Sequence, residues 1–299
     1  MGMLMNGVWF DDADHTMRGG RYRRQPSALP QAIGREYRPE IDGPSPRLVF
    51  VASQSCPWSH AATIVHALNG LESLIPYQLA GGPRTEGYRV DRAGPLAAAV
   101  THVHELYSLT DESYTGRATV PLLWDAEGRR ILSNDSTAIL RLFDRVGGET
   151  DLRPATHLAE IDTLLGRIHD GLANAVYRAG KAQHQDEYQD AVDAVFDTLA
   201  FLDTQLADQD FLTGAHLTEP DVRLFATLVR FDTVYATHFR CTRHRLTDFR
   251  NLWRFTRKLY RIPAVRGTVD FDEIRSGYYL NDGVHNPHRI VAEQPVLDW

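Results

Sequence analysis

A cysteine at the mouth of a helix governs how this chain can be read. It lies in Ser53-Gln54-Ser55-Cys56-Pro57-Trp58-Ser59-His60. Before it, Arg47 to Ala52 is a short apolar run with β-branched residues, which reads as a buried strand. After it, Ala61 to Leu68 reads as a helix that stops at Asn69-Gly70. Cys56 therefore falls at a strand-to-helix turn. Unpaired N–H groups and the positive end of the helix macrodipole favour an anion there, and a thiolate is such an anion.

The rest of the N-terminal half continues the alternation. Ile75 to Ala80 reads as a second strand, and Leu96 to Leu109 as a helix inside the long excursion from Gly81 to Gly116. Thr119 to Asp125 reads as a strand with Pro121 near its start, because proline cannot donate to a ladder. The turn Asp125-Ala126-Glu127-Gly128 leads into Arg130-Ile131-Leu132 as a hairpin partner. Asn134-Asp135-Ser136 then opens a helix ending at Gly147-Gly148. Residues 1–46, rich in proline and glycine, read as an irregular extension anchored by Trp9, Phe10, Tyr22 and Tyr37. The cluster Arg18, Arg21, Arg23 and Arg24 reads as a solvated face, with anion binding as its rival.

Beyond Asp151 the strand signals fade. Leu158, Ile161, Leu164, Leu165, Ile168 and Leu172 keep helical spacing, as do Ala191 to Leu206 and Leu252 to Tyr260. Thr218-Glu219-Pro220-Asp221 is a helix start with a capping-box acid. The domain reading is an extension over 1–46, an α/β domain over 47–150, an all-helical domain over 151–285 and a tail over 286–299.

Bulk properties narrow the functions. The formal net charge of −7 gives no basic excess for nucleic acid or an anionic membrane. No apolar run approaches the ~20 residues of a membrane span. The two cysteines, Cys56 and Cys241, are too few for a disulfide framework, so a reducing cytoplasm is expected. Cys241 reads as core or interface. His238, Cys241 and His244 invite a metal reading but lack a fourth ligand, so no metal is expected.

Strand, helix, strand, then a hairpin and a helix is the thioredoxin-like order, with the cysteine where that fold carries its redox motif. Here the motif is C-x-x-S, because Ser59 stands where a second thiol would be. A mixed disulfide on Cys56 must then be resolved by an external thiol. A thioredoxin-like domain followed by an all-helical one is the glutathione transferase architecture. Within it the chain resembles the glutathionyl-hydroquinone reductases, the xi class, over roughly residues 45–285. The resemblance rests on Ser55 to His60, Thr119 to Asp125, Ser133 to Ser136 and Val176-Tyr177-Arg178-Ala179-Gly180. It continues through Arg230 to Tyr235, His238 to Cys241, and Asn251-Leu252 through Phe271 to Tyr278-Tyr279.

The resemblance implies a thiol-dependent reductase in which Cys56 is the nucleophile and glutathione the cofactor. Val120, before a cis Pro121, would pair with the cysteinyl part of the tripeptide. Asp135 and Ser136 would hold its γ-glutamyl end, and Arg117 would lie near its glycyl end. Tyr88 takes the place of a ligand-contacting tryptophan, and Trp58 would wall the site. Tyr177, Tyr278 and Tyr279 would line a quinol pocket, and a homodimer joined through the helical domains is implied. The chain departs from the family at Ser59-His60-Ala61, at Asp135 where glutamate is usual, and at Tyr88, which leaves another small thiol such as mycothiol open. Two further readings stay open: an omega-like dehydroascorbate or mixed-disulfide reductase, and a non-catalytic thiol- or quinone-binding protein or redox sensor.

Overall fold

The computed structural model describes residues 2–11, 17–18, 21–22, 27–34, 37, 39 and 47–299. The side chains of Arg18 and Arg21, and all of Arg23 and Arg24, lie outside the described residues, as does the Tyr22 side chain. The chain divides into two compact units. One comprises Met1–His15, Gln25–Thr150 and Asp272–Val291; the other comprises Thr16–Arg24, Asp151–Phe271 and Ala292–Trp299.

The first unit opens with a hairpin, β1 (Met3–Met5) and β2 (Val8–Phe10), where the sequence reading expected an irregular extension. The turn is Asn6-Gly7, with φ of 51° and 77°. Asparagine and glycine tolerate this left-handed pair, which matches the twist of a two-residue hairpin. Leu4, fully buried, exchanges two backbone hydrogen bonds of 2.9 Å with Gly116. After the short pair β3 (Met17–Arg18) and β4 (Arg21–Tyr22), which belongs to the second unit, comes β5 (Leu48–Ala52), whose five residues are all buried. It leads into α1 (Pro57–Leu68). Next come β6 (Tyr77–Gly81), β7 (Arg89–Val90), α2 (Val103–Thr110), β8 (Leu122–Asp125), β9 (Arg130–Ser133) and α3 (Ser136–Gly147).

The five-stranded sheet has the order β7-β6-β5-β8-β9. β5 runs parallel to β6 and antiparallel to β8, while β8 runs antiparallel to β9. This is the thioredoxin-like arrangement. Its register fixes the site before any side chain is considered. Val51 near the end of β5 faces Leu122 at the start of β8. Leu123 faces Ser133 at the end of β9. The turn into α1, the entry to β8 and the turn into α3 therefore gather at one end of the sheet.

Two elements are shorter than the sequence suggested. α2 begins at Val103, not Leu96, because buried Gln78 takes the backbone groups of the preceding segment. Its Oε1 accepts from Leu96 N–H at 2.9 Å, and its Nε2 donates to Asp91 O at 3.0 Å. β8 begins at Leu122, not Thr119, because the N–H and carbonyl of Thr119 both bond to the Tyr107 hydroxyl rather than to a strand.

The second unit is helical: α4 (Leu158–Ile168), α5 (Ala175–Lys181), α6 (Gln185–Gln205), α7 (Glu219–Leu228), α8 (Arg250–Tyr260) and the short α9 (Pro263–Arg266). The spacing that suggested a helix to Leu172 passes at His169–Ala173 into a wider π-turn. The Thr218 cap is present as read, with Asp221 accepting from Thr218 N–H (2.9 Å) and Thr218 Oγ1 (2.8 Å). The last helix, α10 (Phe271–Tyr279), lies almost wholly in the first unit, although the sequence reading grouped 151–285 together. Gly277 explains the association, since only a residue without Cβ allows so close an approach to Ser55. Among the described residues, no helix is long and apolar enough to cross a membrane.

Candidate functional site

Cys56 is the N-cap of α1 and is 8% exposed. Its backbone is extended while its carbonyl already accepts the first helical bond, from His60 N–H at 2.9 Å. The Sγ accepts from Ser59 N–H at 3.5 Å and lies 3.6 Å from the Val120 carbonyl, to which the thiol donates. The helix start thus presents an N–H to the sulfur, as its unpaired donors allow. Ser59 meets the sulfur through its backbone N–H, and its Oγ is buried without a hydrogen-bond partner.

The Val120–Pro121 peptide is cis. Both residues are buried at the entry to β8. Tyr107, fully buried on α2, holds this loop in place. Its hydroxyl donates to Thr119 O (2.8 Å) and accepts from Thr119 N–H (3.1 Å) and Asn134 Nδ2 (3.0 Å). One phenol therefore uses its donor and both acceptor positions to fasten the cis-proline loop and the turn into α3.

Asp135 is the N-cap of α3. Its Oδ1 accepts from the N–H groups of Thr137 (2.7 Å) and Ala138 (2.9 Å). Ser136 is the first residue of α3, half-buried. The carboxylate that the resemblance assigns to a ligand is thus partly committed to the helix. A glutamate would be one methylene longer.

Tyr88 and Arg117 are half-buried and electrostatically coupled. Burial pushes the Tyr88 phenol up to about 12, against the opposing pull of the Arg84 cation; the charge of Cys56 also raises it. Tyr88 therefore stays a proton donor at neutral pH. Trp58 and Tyr88 both pack against the core cluster that contains Cys56, Val120 and Tyr107.

Sequence reasoning missed Arg84. Its Nη2 donates to Ser55 Oγ at 2.9 Å, and its guanidinium carbon stands 4.2 Å from the Tyr88 ring centroid. Its N–H donates to Asn281 Oδ1 at 2.6 Å. Asn281 follows Tyr278 and Tyr279, the former half-buried and the latter buried, so α10 meets the cysteine turn at Gly277 and the residue two beyond its end, Asn281, meets Arg84. No local pattern marks Arg84; only the fold brings it to Ser55. Tyr177 lies in the second unit, against Phe239 (ring centroids 5.2 Å apart) and Tyr235 (6.2 Å). Cys241 is buried in that unit, where desolvation pushes its thiol up to about 12. It is core rather than a reactive group.

Residues 55–146 match the family model for the glutathione S-transferase N-terminal domain, and residues 185–258 match the one for the C-terminal domain. The chain is 38% identical to glutathionyl-hydroquinone reductase YqjG of Escherichia coli, over 100% of this chain and 96% of that protein. The xi-class transferase of Natrialba magadii superposes with a TM-score of 0.88 at 35% identity, covering 100% and 95% of the two chains. The glutathione-bound structure of the Escherichia coli protein superposes with a TM-score of 0.84 at 35% identity, covering 99% and 96%. The chain belongs to the glutathione S-transferase family and, within it, to the xi class that includes the glutathionyl-hydroquinone reductases.

Proposed function

We propose that this enzyme removes glutathione from thiol-conjugated hydroquinones through a mixed disulfide on Cys56. The carrying observation is Cys56 Sγ at the N-cap of α1, beside the Val120 carbonyl and with Ser59 in place of a second thiol. The Cys56 sulfur attacks the sulfur of the conjugate. A sulfur–sulfur bond forms as the sulfur–ring bond breaks, and the ring carbon takes up a proton. The two sulfurs are oxidised, the ring is reduced by two electrons, and the free hydroquinone leaves. A second glutathione then attacks the mixed disulfide, releasing glutathione disulfide and regenerating Cys56.

In this reading the Val120 backbone pairs with the cysteinyl part of glutathione. The outer oxygen of Asp135 takes the ammonium. Ser136 and the start of α3 take the γ-glutamyl carboxylate, and Arg117 lies at the glycyl carboxylate. Trp58 and Tyr88 wall the thiol. Tyr278 and Tyr279 offer rings to stack on the quinol and hydroxyls to bond its oxygens, and the same role is proposed for Tyr177. A homodimer joined through the helical domains is part of the proposal, and light scattering in solution checks it.

Incubation with glutathionyl-menadiol, the hydroquinone form of the conjugate, is expected to give a glutathione adduct on Cys56 by mass spectrometry, together with released menadiol. Cys56→Ser is expected to do neither while keeping the fold. Turnover by that variant would overturn the reading. Because Oδ1 of Asp135 caps α3, a thiol without an ammonium is the second candidate. Glutathione, mycothiol and bacillithiol are compared on one quinone; turnover with mycothiol alone would replace glutathione as cofactor.

A further inference from the structure

Glu86, His102 and His104 form the one group of three metal-ligating side chains found among the described residues, with donor atoms all within 4.8 Å of one another. The grouping is imposed by backbone. Val103 N–H donates to Tyr88 O at 2.9 Å, and Val90 N–H donates to Thr101 O at 2.8 Å. These bonds lay the Glu86–Val90 segment antiparallel to the entry of α2, so Glu86 faces two histidines at alternate positions. His102 is the N-cap of α2 and His104 lies in its first turn.

The donors already converge. His104 Nε2 lies 3.0 Å from Glu86 Oε1, and His102 Nδ1 lies 3.8 Å from Glu86 Oε2. The two imidazoles are nearly parallel, 7° apart, with centroids separated by 5.5 Å. Trp9 stacks on His104 at 4.8 Å and restricts that ring. Both histidine side chains are largely covered, at 18% and 10% exposure, while Glu86 is half exposed and open to an arriving ion. Ligands around a tetrahedral zinc, each ~2.0–2.2 Å from the metal, stand a little over 3 Å apart. Small side-chain rotations bring these three donors to that spacing. Two imidazoles and a carboxylate suit a borderline divalent ion and leave the fourth position to water.

We propose that Glu86, His102 and His104 bind one divalent transition-metal ion of the zinc type. The ion ties the segment that carries Tyr88 to the start of α2. It takes no part in the thiol chemistry, and the proposal stands independently of the substrate assigned above.

The test uses the full-length, tag-free protein, stripped with chelator and titrated with Co²⁺ in the absence of small thiols. One equivalent is expected to give the visible d–d absorption of a tetrahedral nitrogen–oxygen site, displaceable by Zn²⁺, and to raise the melting temperature. Glu86→Gln and His102→Gln are each expected to lose the spectrum and the thermal shift while melting, metal-free, like the parent. His104→Ala is the third variant, read only if circular dichroism shows it folded. No cobalt spectrum, or a spectrum that survives Glu86→Gln and His102→Gln together, would overturn the proposal. A thiolate-to-cobalt charge-transfer band would place the ion on Cys56 and overturn it equally.

Discussion

Gly277 lies so close to Ser55 that a Cβ on the glycine would stand 2.2 Å from the serine Cβ. A real Cβ cannot occupy that space. The contact joins α10 to the turn that carries Cys56, next to Tyr278 and Tyr279. Gly277→Ala would gain about 1 kcal/mol from helix propensity, but forced overpacking costs about 1–3 kcal/mol. The overpacking term is expected to win. The variant is expected to show a lower urea midpoint and a raised KM for the quinone conjugate, because the helix must move off the turn. An unchanged midpoint and KM would show that this contact does not hold α10 in place.

Tyr107→Phe removes one hydroxyl and the hydrogen bonds it makes with Thr119 and Asn134. Thr119 N–H, Thr119 O and Asn134 Nδ2 are left without it in a half-buried place. A fully buried polar group deprived of its partner costs about 1–3 kcal/mol, and partial exposure brings the cost to the lower end of that range. Stability is expected to fall by that order, and KM for the thiol to rise more than kcat falls, since the phenol touches the loops and not the sulfur. A variant with wild-type thiol KM would separate this brace from the site.

Asp221 makes stability depend on pH. Burial raises its carboxyl from 3.8 to about 6, against the bonds from Leu212 and Thr218 that favour the anion. An acid raised in the folded state holds a proton that the unfolded chain has already released. Its contribution is therefore complete below about pH 4 and is lost as pH rises through about 6, a change of about 3 kcal/mol. Asp221→Asn cannot titrate and cannot accept at both atoms, so it is expected to be less stable than the parent, with a gap that narrows by that amount between about pH 3 and about pH 7. Denaturant titrations across that range measure the gap; a constant gap would remove the assignment.

Ser59→Cys would place a second thiol one turn from Cys56. Ser59 is fully buried, its Oγ has no partner, and its N–H already meets Sγ at 3.5 Å. The variant is expected to resolve the mixed disulfide internally. Loaded with one glutathione, it would lose the adduct and hold an internal disulfide between Cys56 and the introduced thiol. Intact mass and resistance to alkylation report that bond. A persisting adduct would show that the geometry, not the missing thiol, enforces external resolution.

The parts of the site that depend on neighbours in sequence were legible. Cys56 at the start of α1, Pro121 before β8 and Asp135 before α3 each follow from local capping, turn or proline rules. The Asn6-Gly7 hairpin carries an equally local turn signal, but the prolines on which residues 1–46 read as one irregular extension begin only at Pro26. The premature helix at Leu96 was not, because Gln78, eighteen positions earlier, claims its backbone. Ser55 meeting Arg84 and Gly277 could not be read either. A contact across such separations leaves no periodicity, only a glycine and an arginine like any others.

The return of Asp272–Val291 to the first unit sets an order of assembly on the ribosome. β5, α1 and β8 emerge early and can form their sheet, yet the turn that carries Cys56 lacks α10 until residues 271–279 have been made. A nascent or prematurely terminated product therefore carries Cys56 without Gly277 on its turn and without Asn281 on Arg84. The thiol's surroundings are finished only when Asp272–Val291 joins the first unit, so a fragment ending at Thr150 is expected to fold as a cysteine-bearing domain and not as the enzyme.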